Sequence, residues 1–477
     1  MILPIKIKNI LIELQKAGYE GYVVGGCVRD LLMGKEPNDW DITTNAKPED
    51  IQRIFPEHIY ENTFGTVGVK TGSDKPDLAI IEITPYRIEG KYADKRHPEE
   101  IEFVSKLEDD LGRRDFTVNA VAMNSSGEIT DPFGGQADIK LKTIRTVGEA
   151  EDRFSEDALR LLRAIRFATV LGFKIEERTL KAVKQNANWL IAISKERVRD
   201  EFIKIIESDN AYDGILLLEE TGLLQYIVPE LREGIGVGQN LHHIYSVWEH
   251  NTRALKYTVE KKYSLAVRFG ALFHDIGKPR TKRGEGKYST FYGHDVIGGK
   301  MTAKIMERLK FPNNLSEKVT KLVRYHLFYY NVGEVTESSI RRLLVNVGSE
   351  SMEDLIKVRE ADRIGSGRPK AVPYKLRHMK YIIEKISHDP ISVKMLKFDG
   401  EDIMKELKIK PGPKIGLILN FLLAEILDDP IKNKKEYLQK RIHELDKKSP
   451  EELKKSLEKI KKAVEEEEKE RMRKYYV

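Results

Sequence analysis

The chain has 477 residues, 82 Lys plus Arg against 76 Asp plus Glu, and a formal net charge of +6. That length suggests about three domains. Hydrophobic residues at 40%, with 20 Tyr and 16 Phe, exclude disorder along the whole chain, and a single cysteine, Cys27, excludes a disulfide framework.

No uncharged apolar run approaches the ~18 residues of a membrane span, and the N-terminus lacks an apolar signal core. A cytoplasmic protein with no membrane contact is expected. The positive charge is unevenly spread, because residues 431–477 hold 16 basic and 11 acidic residues while the remainder is nearly balanced. Basicity therefore describes a tail more than a nucleic-acid surface.

Residues 1–148 read as an α+β head, with strand-like runs at 22–25, 67–70, 79–84 and 118–123. Gly25-Gly26-Cys27-Val28-Arg29-Asp30 follows the first run and opens an amphipathic segment, 28–33. Glycine lets the backbone approach an anion, and a helix start supplies N–H donors, so Gly26 and Arg29 are candidate phosphate contacts. No Gly-Lys-Ser/Thr follows, which excludes a Walker loop.

Asp39-Trp40-Asp41 comes nine residues later. On a strand, residues two apart share a face, so Asp39 and Asp41 would aim two carboxylates at one point. Such a pair suits Mg²⁺ and two-metal nucleotidyl transfer. Together with the glycine pair, this favours a polymerase-β-like nucleotidyltransferase. Glu82, in an alternating apolar stretch, is a candidate third carboxylate or an edge-strand charge. Cys27 reads as a small packed residue.

From residue 155 the period turns helical, with Leu159, Leu162, Ile165 and Ala168 on one face and Gly172 as a stop. A neck is assigned to 149–238, ending in the glycine-rich stretch 233–238. A His-bearing helical region follows at 239–365. A helical body and tail at 366–477 ends in charges of alternating sign, as on a solvated helix.

Four motifs occur in order: Gly25 to Asp30 with Asp39-x-Asp41; Arg113-Arg114-Asp115-Phe116-Thr117-x-Asn119-Ala120; Asp131-Pro132-Phe133-Gly134-Gly135; and Glu156-Asp157-x-x-Arg160. In this the chain resembles the class II tRNA nucleotidyltransferases, a family that includes the bacterial poly(A) polymerases. The resemblance implies tRNA as partner, CTP and ATP as substrates, and catalysis at Asp39 and Asp41. It also implies a nucleotide site that includes Gly26, Arg29, Arg113, Asp115, Asn119, Asp157 and Arg160.

Chemistry supports several of those roles. Adjacent arginines suit a triphosphate, and Asp115 can accept from a ribose hydroxyl. Asp157 accepts and Arg160 donates; three apart on a helix, they would share a face and match the donor–acceptor edge common to C and A. As a pair of residues they equally describe a helix salt bridge. Glu156 is expected to orient Arg160 or cap the helix. Residues 194–199 are expected to serve neck stability or RNA backbone contact.

The segment 84–98, with Arg87, Tyr92, Asp94 and Arg96, is similar to the family's flexible loop, which implies full CCA addition; A-only addition and poly(A) synthesis remain alternatives. Further on, His250, His274-Asp275, His294, His326 and Asp362 look like an HD phosphohydrolase domain. Imidazoles and carboxylates suit Mn²⁺, Ni²⁺, Fe²⁺ or Mg²⁺, with His250, His274, Asp275 and Asp362 as one metal set and His294 and His326 as ligands to a second metal. In such a family the domain implies phosphatase or 2′,3′-cyclic phosphodiesterase activity. An HD phosphohydrolase with a vestigial transferase head is the alternative of another class. His242 and His243 are less suited as ligands.

Overall fold

The structure is a computed structural model, and it describes residues 3–61, 65–89, 101–240, 244–328, 330–386 and 388–475. Contacts divide the chain into two compact units, Met1–Glu233 with Ile305–Phe311, and Gly234–Lys304 with Pro312–Val477.

The first unit is built on a seven-stranded sheet. Its order is His58–Glu61, Thr66–Lys70, Ile80–Pro85, Asp41–Thr44, Gly21–Val24, Ala122–Met123 and Ile129–Thr130. All neighbours are antiparallel except Asp41–Thr44 and Ile80–Pro85, which run parallel with Asp41 opposite Glu82. Period-2 alternation sends Val23, Ile42, Val67, Val69, Ile81 and Ile83 into one buried core. The helix Ile5–Lys16 joins it through Ile7, Ile10, Leu11 and Leu14, an apolar stripe at helical spacing. Asp41 and Glu82 consequently emerge together on the other face.

The expected strand over 118–123 is largely replaced. Thr117–Asn119 is a 3₁₀ turn, and only Ala122–Met123 pairs with the sheet. The cause is local side-chain bonding that competes with the ladder. Asp115 Oδ1 accepts from Phe116 N (2.8 Å) and from Asn119 Nδ2 (3.1 Å), bending the chain.

Beyond the head the unit is helical. Leu159–Leu171 buries Leu159, Leu162, Ile165 and Ala168, and Gly172 closes it at φ +68°. In the second unit, too, helices dominate. The tail differs from a purely solvated helix, since Lys435–Asp446 and Pro450–Tyr475 carry buried Leu438, Ile442, Leu445 and Leu453. These pack with Ile418, Leu422 and Ile426 of Pro413–Asp428, so the charges alternate around an apolar stripe. No helix among the described residues is long and apolar enough to cross a membrane.

The Asp-Pro-Phe-Gly-Gly motif has a structural explanation. Asp131 accepts from the backbone N–H groups of Gly135 (2.7 Å) and Gln136 (2.9 Å), seating the start of the helix Gly135–Leu141. A Cβ on Gly135 would overlap the Thr117 carbonyl and lie 2.5 Å from Val121 Cγ2. Gly135→Ala is therefore expected to destabilise the head by about 1–3 kcal/mol. The midpoint of urea unfolding measures this.

Candidate active site and metal centre

In the first unit the chain leaves the strand Gly21–Val24 through Gly25, at φ +84°, into the helix Gly26–Leu32. A Cβ on Gly25 would sit 3.1 Å from Arg114 Nη1 and 3.8 Å from Asp41 Oδ2. Glycine is thus required there twice, by the backbone angle and by close approach. Asp41 opens its strand, while Asp39 lies in the bend before it rather than on the strand.

Burial pushes the Asp41 carboxyl up to about 6; Arg114 opposes this, and the charges of Asp39 and Glu82 add to it. Crowded carboxylates of this kind are the donor set that hard Mg²⁺ accepts, so the residues fit a divalent cation. Glu82 is exposed and beside Asp41 in register, as a third carboxylate would be.

Arg114 is the residue that sequence reasoning underweighted. It reaches toward Gly25 and Asp41, its Nη2 lies 3.4 Å from Asp110 Oδ2, and its buried Nε makes no hydrogen bond among the described residues. Asp110, also missed, is wholly buried. It accepts from Arg113 Nε and Nη2 (3.0 and 2.8 Å) and from Thr43 Oγ1 (3.3 Å). An acid three and four residues ahead of an arginine pair on a helix was the signal available.

Other predicted nucleotide-site residues form a buried lattice. Arg29 donates to Asn119 Oδ1 (2.7 Å) and twice to Asp30 Oδ1, so much of its fork is committed within the protein. Asn119 in turn donates to Asp115. Asp115 Oδ2 meets Arg163 Nε at 2.7 Å and Nη2 at 2.5 Å. Burial raises the Asp115 carboxyl, but Arg163, Asn119 and Arg160 outweigh that and hold it down to about 2. Cys27 is buried and burial pushes its thiol up to about 11, which keeps it protonated.

Asp157 and Arg160 do not share a helix. Asp157 is extended at the junction between Ala150–Glu156 and Leu159–Leu171, where its Oδ1 caps Leu159 N at 3.0 Å. Its Oδ2 binds Arg197 Nη2 at 2.7 Å, and Arg197 belongs to the 194–199 segment. Arg160 instead bonds Glu156, the Arg153 carbonyl (3.0 Å) and the Arg113 carbonyl (3.0 Å). Side-chain capping won over helix continuation, so the two side chains bond separate partners, while the Arg160 backbone N–H donates to the Asp157 carbonyl at 2.9 Å. Of the flexible-loop residues, Arg87 begins a short strand, Arg87–Glu89, paired with Ile101–Phe103. Tyr92, Asp94 and Arg96 lie outside the described residues, as do His242 and His243.

In the second unit five separate helical elements bring six side chains together. His250 comes from Val247–Glu260, His274 and Asp275 follow Leu265–Phe273, and Asp362 comes from Ser349–Gly365. His294 starts His294–Arg308 and His326 ends Asn313–Tyr325. His250 Nε2 lies 2.8 Å from His274 Nε2, 3.1 Å from Asp275 Oδ2 and 3.3 Å from Asp362 Oδ1. The other oxygen, Asp275 Oδ1, faces His294 Nε2 (3.3 Å) and His326 Nε2 (3.6 Å). One carboxylate therefore bridges two ligand groups.

The imidazoles are oriented from behind. The Nδ1 atoms of His274, His294 and His326 each lie 2.7 Å from the carbonyl three residues earlier, of Ala271, Phe291 and Val323. Donating Nδ1–H there leaves the Nε2 lone pairs facing the cluster. The Nε2 of His294 is buried and makes no hydrogen bond among the described residues. Burial opposes charge on His274, yet Asp275 and Asp362 raise it to about 10, so the cluster calls for positive charge at its centre. Both features fit metal ions.

Lys278, three residues after Asp275 and not assigned from sequence, places Nζ 2.6 Å from Asp275 Oδ2 and bonds Gln239 Oε1. A Cβ on Gly277 would sit 2.6 Å from Gly298 N and overlap the His294 carbonyl, so this glycine admits the His294 helix.

The family described as "Poly A polymerase head domain" matches residues 21–145. "Probable RNA and SrmB- binding site of polymerase A" matches 172–235, and the tRNA nucleotidyltransferase domain 2 family matches 295–442. A CCA-adding enzyme of Geobacillus sp. is 33% identical over 441 residues, covering 92% of this chain and 95% of that protein. The chain belongs to the CCA-adding enzyme family.

The CCA-adding enzyme of Geobacillus thermodenitrificans is 47% identical over 226 residues, 47% of this chain and 54% of that one. Among solved structures, the Bacillus stearothermophilus CCA-adding enzyme in complex with CTP is similar at a TM-score of 0.67 and 28% identity. That match covers 94% of this chain and 98% of the other. The α+β head and helical remainder are thus those of a CCA-adding enzyme.

Asp115 makes the stability of the head depend on pH. Its folded pKa lies below the ordinary value of 3.8, so its ion pair contributes stability above about pH 4 and loses it as pH falls through about 2. The contribution is roughly 2 kcal/mol. Asp115→Asn is expected to cost about that much at pH 7, with the gap from wild type closing between pH 4 and 2 in urea titrations.

Proposed function

We infer that this enzyme adds C, C and A to tRNA 3′ ends from CTP and ATP, releasing pyrophosphate at each step. One observation carries the reading: Asp41, flanked in charge by Asp39 and Glu82, opposes the Gly25 turn and Arg114 in a chain alike over nearly its full length to a CCA-adding enzyme. A-only addition and poly(A) synthesis are not favoured by that likeness. The cytoplasm, where tRNA and both nucleotides occur, is its proposed location.

Asp39 and Asp41 would hold Mg²⁺, with Glu82 beside them. Bound there, Mg²⁺ supplies a more acidic 3′ hydroxyl and charge neutralisation on the departing pyrophosphate. Arg114 points the remaining positive charge at the same place, while Asp110 orients it and Arg113. Arg29, Asn119, Asp115 and Arg163 form the rigid wall behind the nucleotide.

Asp157 offers an acceptor and Arg160 a donor, the complement of the edge shared by C and A. Arg197 and Glu156 fix their directions, so U and G would leave polar groups unpaired. The tRNA acceptor arm is recognised by phosphate contact and shape.

A second activity is favoured by the three Nε2 lone pairs directed at Asp275. His250, His274, Asp275 and Asp362 would hold one divalent metal, and His294 and His326 a second that shares Asp275. Metal ions in such sites supply a water of lowered pKa. The residues suit hydrolysis of a 2′,3′-cyclic phosphate, in which water adds across one P–O bond and leaves a monoester and a free hydroxyl.

The two centres are expected to dissociate under mutation. Given both CTP and ATP, the wild type should complete CCA on tRNA ending before CCA, after C or after CC; with CTP alone it should stop after CC, and with ATP alone it should extend only the CC-ended tRNA. Asp41→Asn should lower incorporation roughly a thousandfold or more and spare Mn²⁺-dependent cyclic-phosphate hydrolysis. His274→Ala should do the reverse. With both nucleotides present, incorporation of A alone, onto the CC-ended substrate only, overturns the specificity.

The loop that follows Arg87 is assigned to the change from C to A. A deletion beginning at Pro85 would remove Tyr86, which is wholly buried, and so would test stability instead. Removing residues 91–97 is expected to preserve both C additions and stop the final A, as read on sequencing gels of the extended tRNA.

A further inference from the structure

The helix Tyr374–Lys385 of the second unit carries three aromatic rings in one stripe. Tyr374, His378 and Tyr381 recur at i, i+4 and i+7, a spacing that ordinarily faces a core. Here the core contacts are made by Leu376 and Met379, while Tyr374 and Tyr381 are each 61% exposed. Ring centroids follow one another at 6.1 Å and 6.3 Å along the stripe. Tyr330 adds a fourth ring 6.0 Å from His378 and hydrogen-bonds His378 Nδ1 through its hydroxyl. Tyr374 and Tyr381 thus present ring surface to solvent at the two ends of the stripe, with His378 between them.

The stripe is fastened to the His–Asp centre. Lys380 Nζ bonds Glu360 Oε1 at 2.8 Å, two residues before Asp362 on the same helix. Arg359 pairs with Asp362 Oδ2 at 2.6 Å and stands 5.8 Å from the Phe328 ring, in the segment between His326 and Tyr330. The helix that carries Asp362, the segment after His326 and the aromatic helix are therefore mutually braced.

The charge on this helix selects the occupant. It carries Lys375, Arg377, Lys380 and Lys385 against Glu384 alone. Lys380 and Lys385 are paired with Glu360 and Glu337, and Lys375 bonds the neutral Asn331 side chain. Arg377 is exposed and has no ion pair among the described residues, and exposed Lys370 precedes the helix. A protein surface would need contiguous apolar area, whereas these rings are bordered by cations. Unpaired nucleotides need both, a ring for each base and a cation for the phosphates.

We propose that Tyr374, His378 and Tyr381 form a stacking platform for unpaired nucleotides of an RNA strand, with Arg377 and Lys375 on its phosphates, leading the strand's end toward the His–Asp centre. The binding stands on the stripe alone; its purpose rests on the phosphohydrolase reading of that centre.

The test uses the full chain and a single-stranded pentaribonucleotide bearing 2-aminopurine, whose fluorescence is quenched on stacking, with an equally long RNA duplex as control. The wild type should bind the single strand, with quenching, in preference to the duplex. Tyr374→Ala with Tyr381→Ala should weaken that binding roughly tenfold or more, while Tyr374→Phe with Tyr381→Phe should keep it. The alanine pair should raise KM for an oligoribonucleotide ending in a 2′,3′-cyclic phosphate, spare its kcat, and leave hydrolysis of a mononucleoside cyclic phosphate unchanged.

Equal single-strand binding by wild type and the alanine pair, or no RNA binding by the wild type, overturns the platform. Ring-dependent binding by a wild type that hydrolyses nothing in Mn²⁺ upholds the platform and removes only the phosphohydrolase reading.

Discussion

Parallel pairing of Asp41–Thr44 with Ile80–Pro85 sets Asp41 opposite Glu82, and the preceding bend adds Asp39. Like charges in a half-buried place repel, and burial strengthens the repulsion. The head is organised around compensating for that. Gly25 leaves room for Arg114, Asp110 steadies Arg114 from below, and the buried Asp115–Arg163 pair anchors the turn that follows. The remaining positive charge between the carboxylates is one that Mg²⁺ is suited to bring.

The second unit meets the same constraint with different ligands. Asp275 divides its two oxygens between two sets of imidazoles, and Lys278 and Arg359 neutralise from the rim. Backbone carbonyls behind His274, His294 and His326 decide which ring nitrogen faces inward. Gly277 permits the close helix approach that brings His294 into range. Geometry of this kind is costly to assemble from five helical elements, and its burial argues for a function beyond packing.

Much of this was legible in residue order. The glycine turn, the Asp39/Asp41 pair, the arginine motif and the His…His-Asp…Asp series each state a chemical type and a spacing. Their local forms were less legible. The 118–123 strand gave way to a turn because Asp115 and Asn119 bond each other, and Asp157 left its helix because it caps the next one. Short polar side chains can satisfy the backbone locally, and periodicity cannot see which choice wins. Nor did alternating charge reveal that the tail helices bury Leu438, Ile442, Leu445 and Leu453.

Residue types and their order sufficed to place this chain among nucleotidyltransferases of tRNA ends, since donors, acceptors and metal ligands are properties of single side chains. Partnership was a matter for the folded chain. Arg29 and Asn119 stand 90 residues apart, Asp115 and Arg163 stand 48 apart, and Asp157 and Arg197 stand 40 apart. Pairs at such separations meet only when sheet register and helix packing bring them together. The same holds for Arg114, whose role comes from facing Gly25 and Asp41, and for the exposed stripe of Tyr374, His378 and Tyr381. In the sequence that stripe has the spacing of an ordinary core face. Only tertiary packing, by giving the core to Leu376 and Met379, left the rings to water.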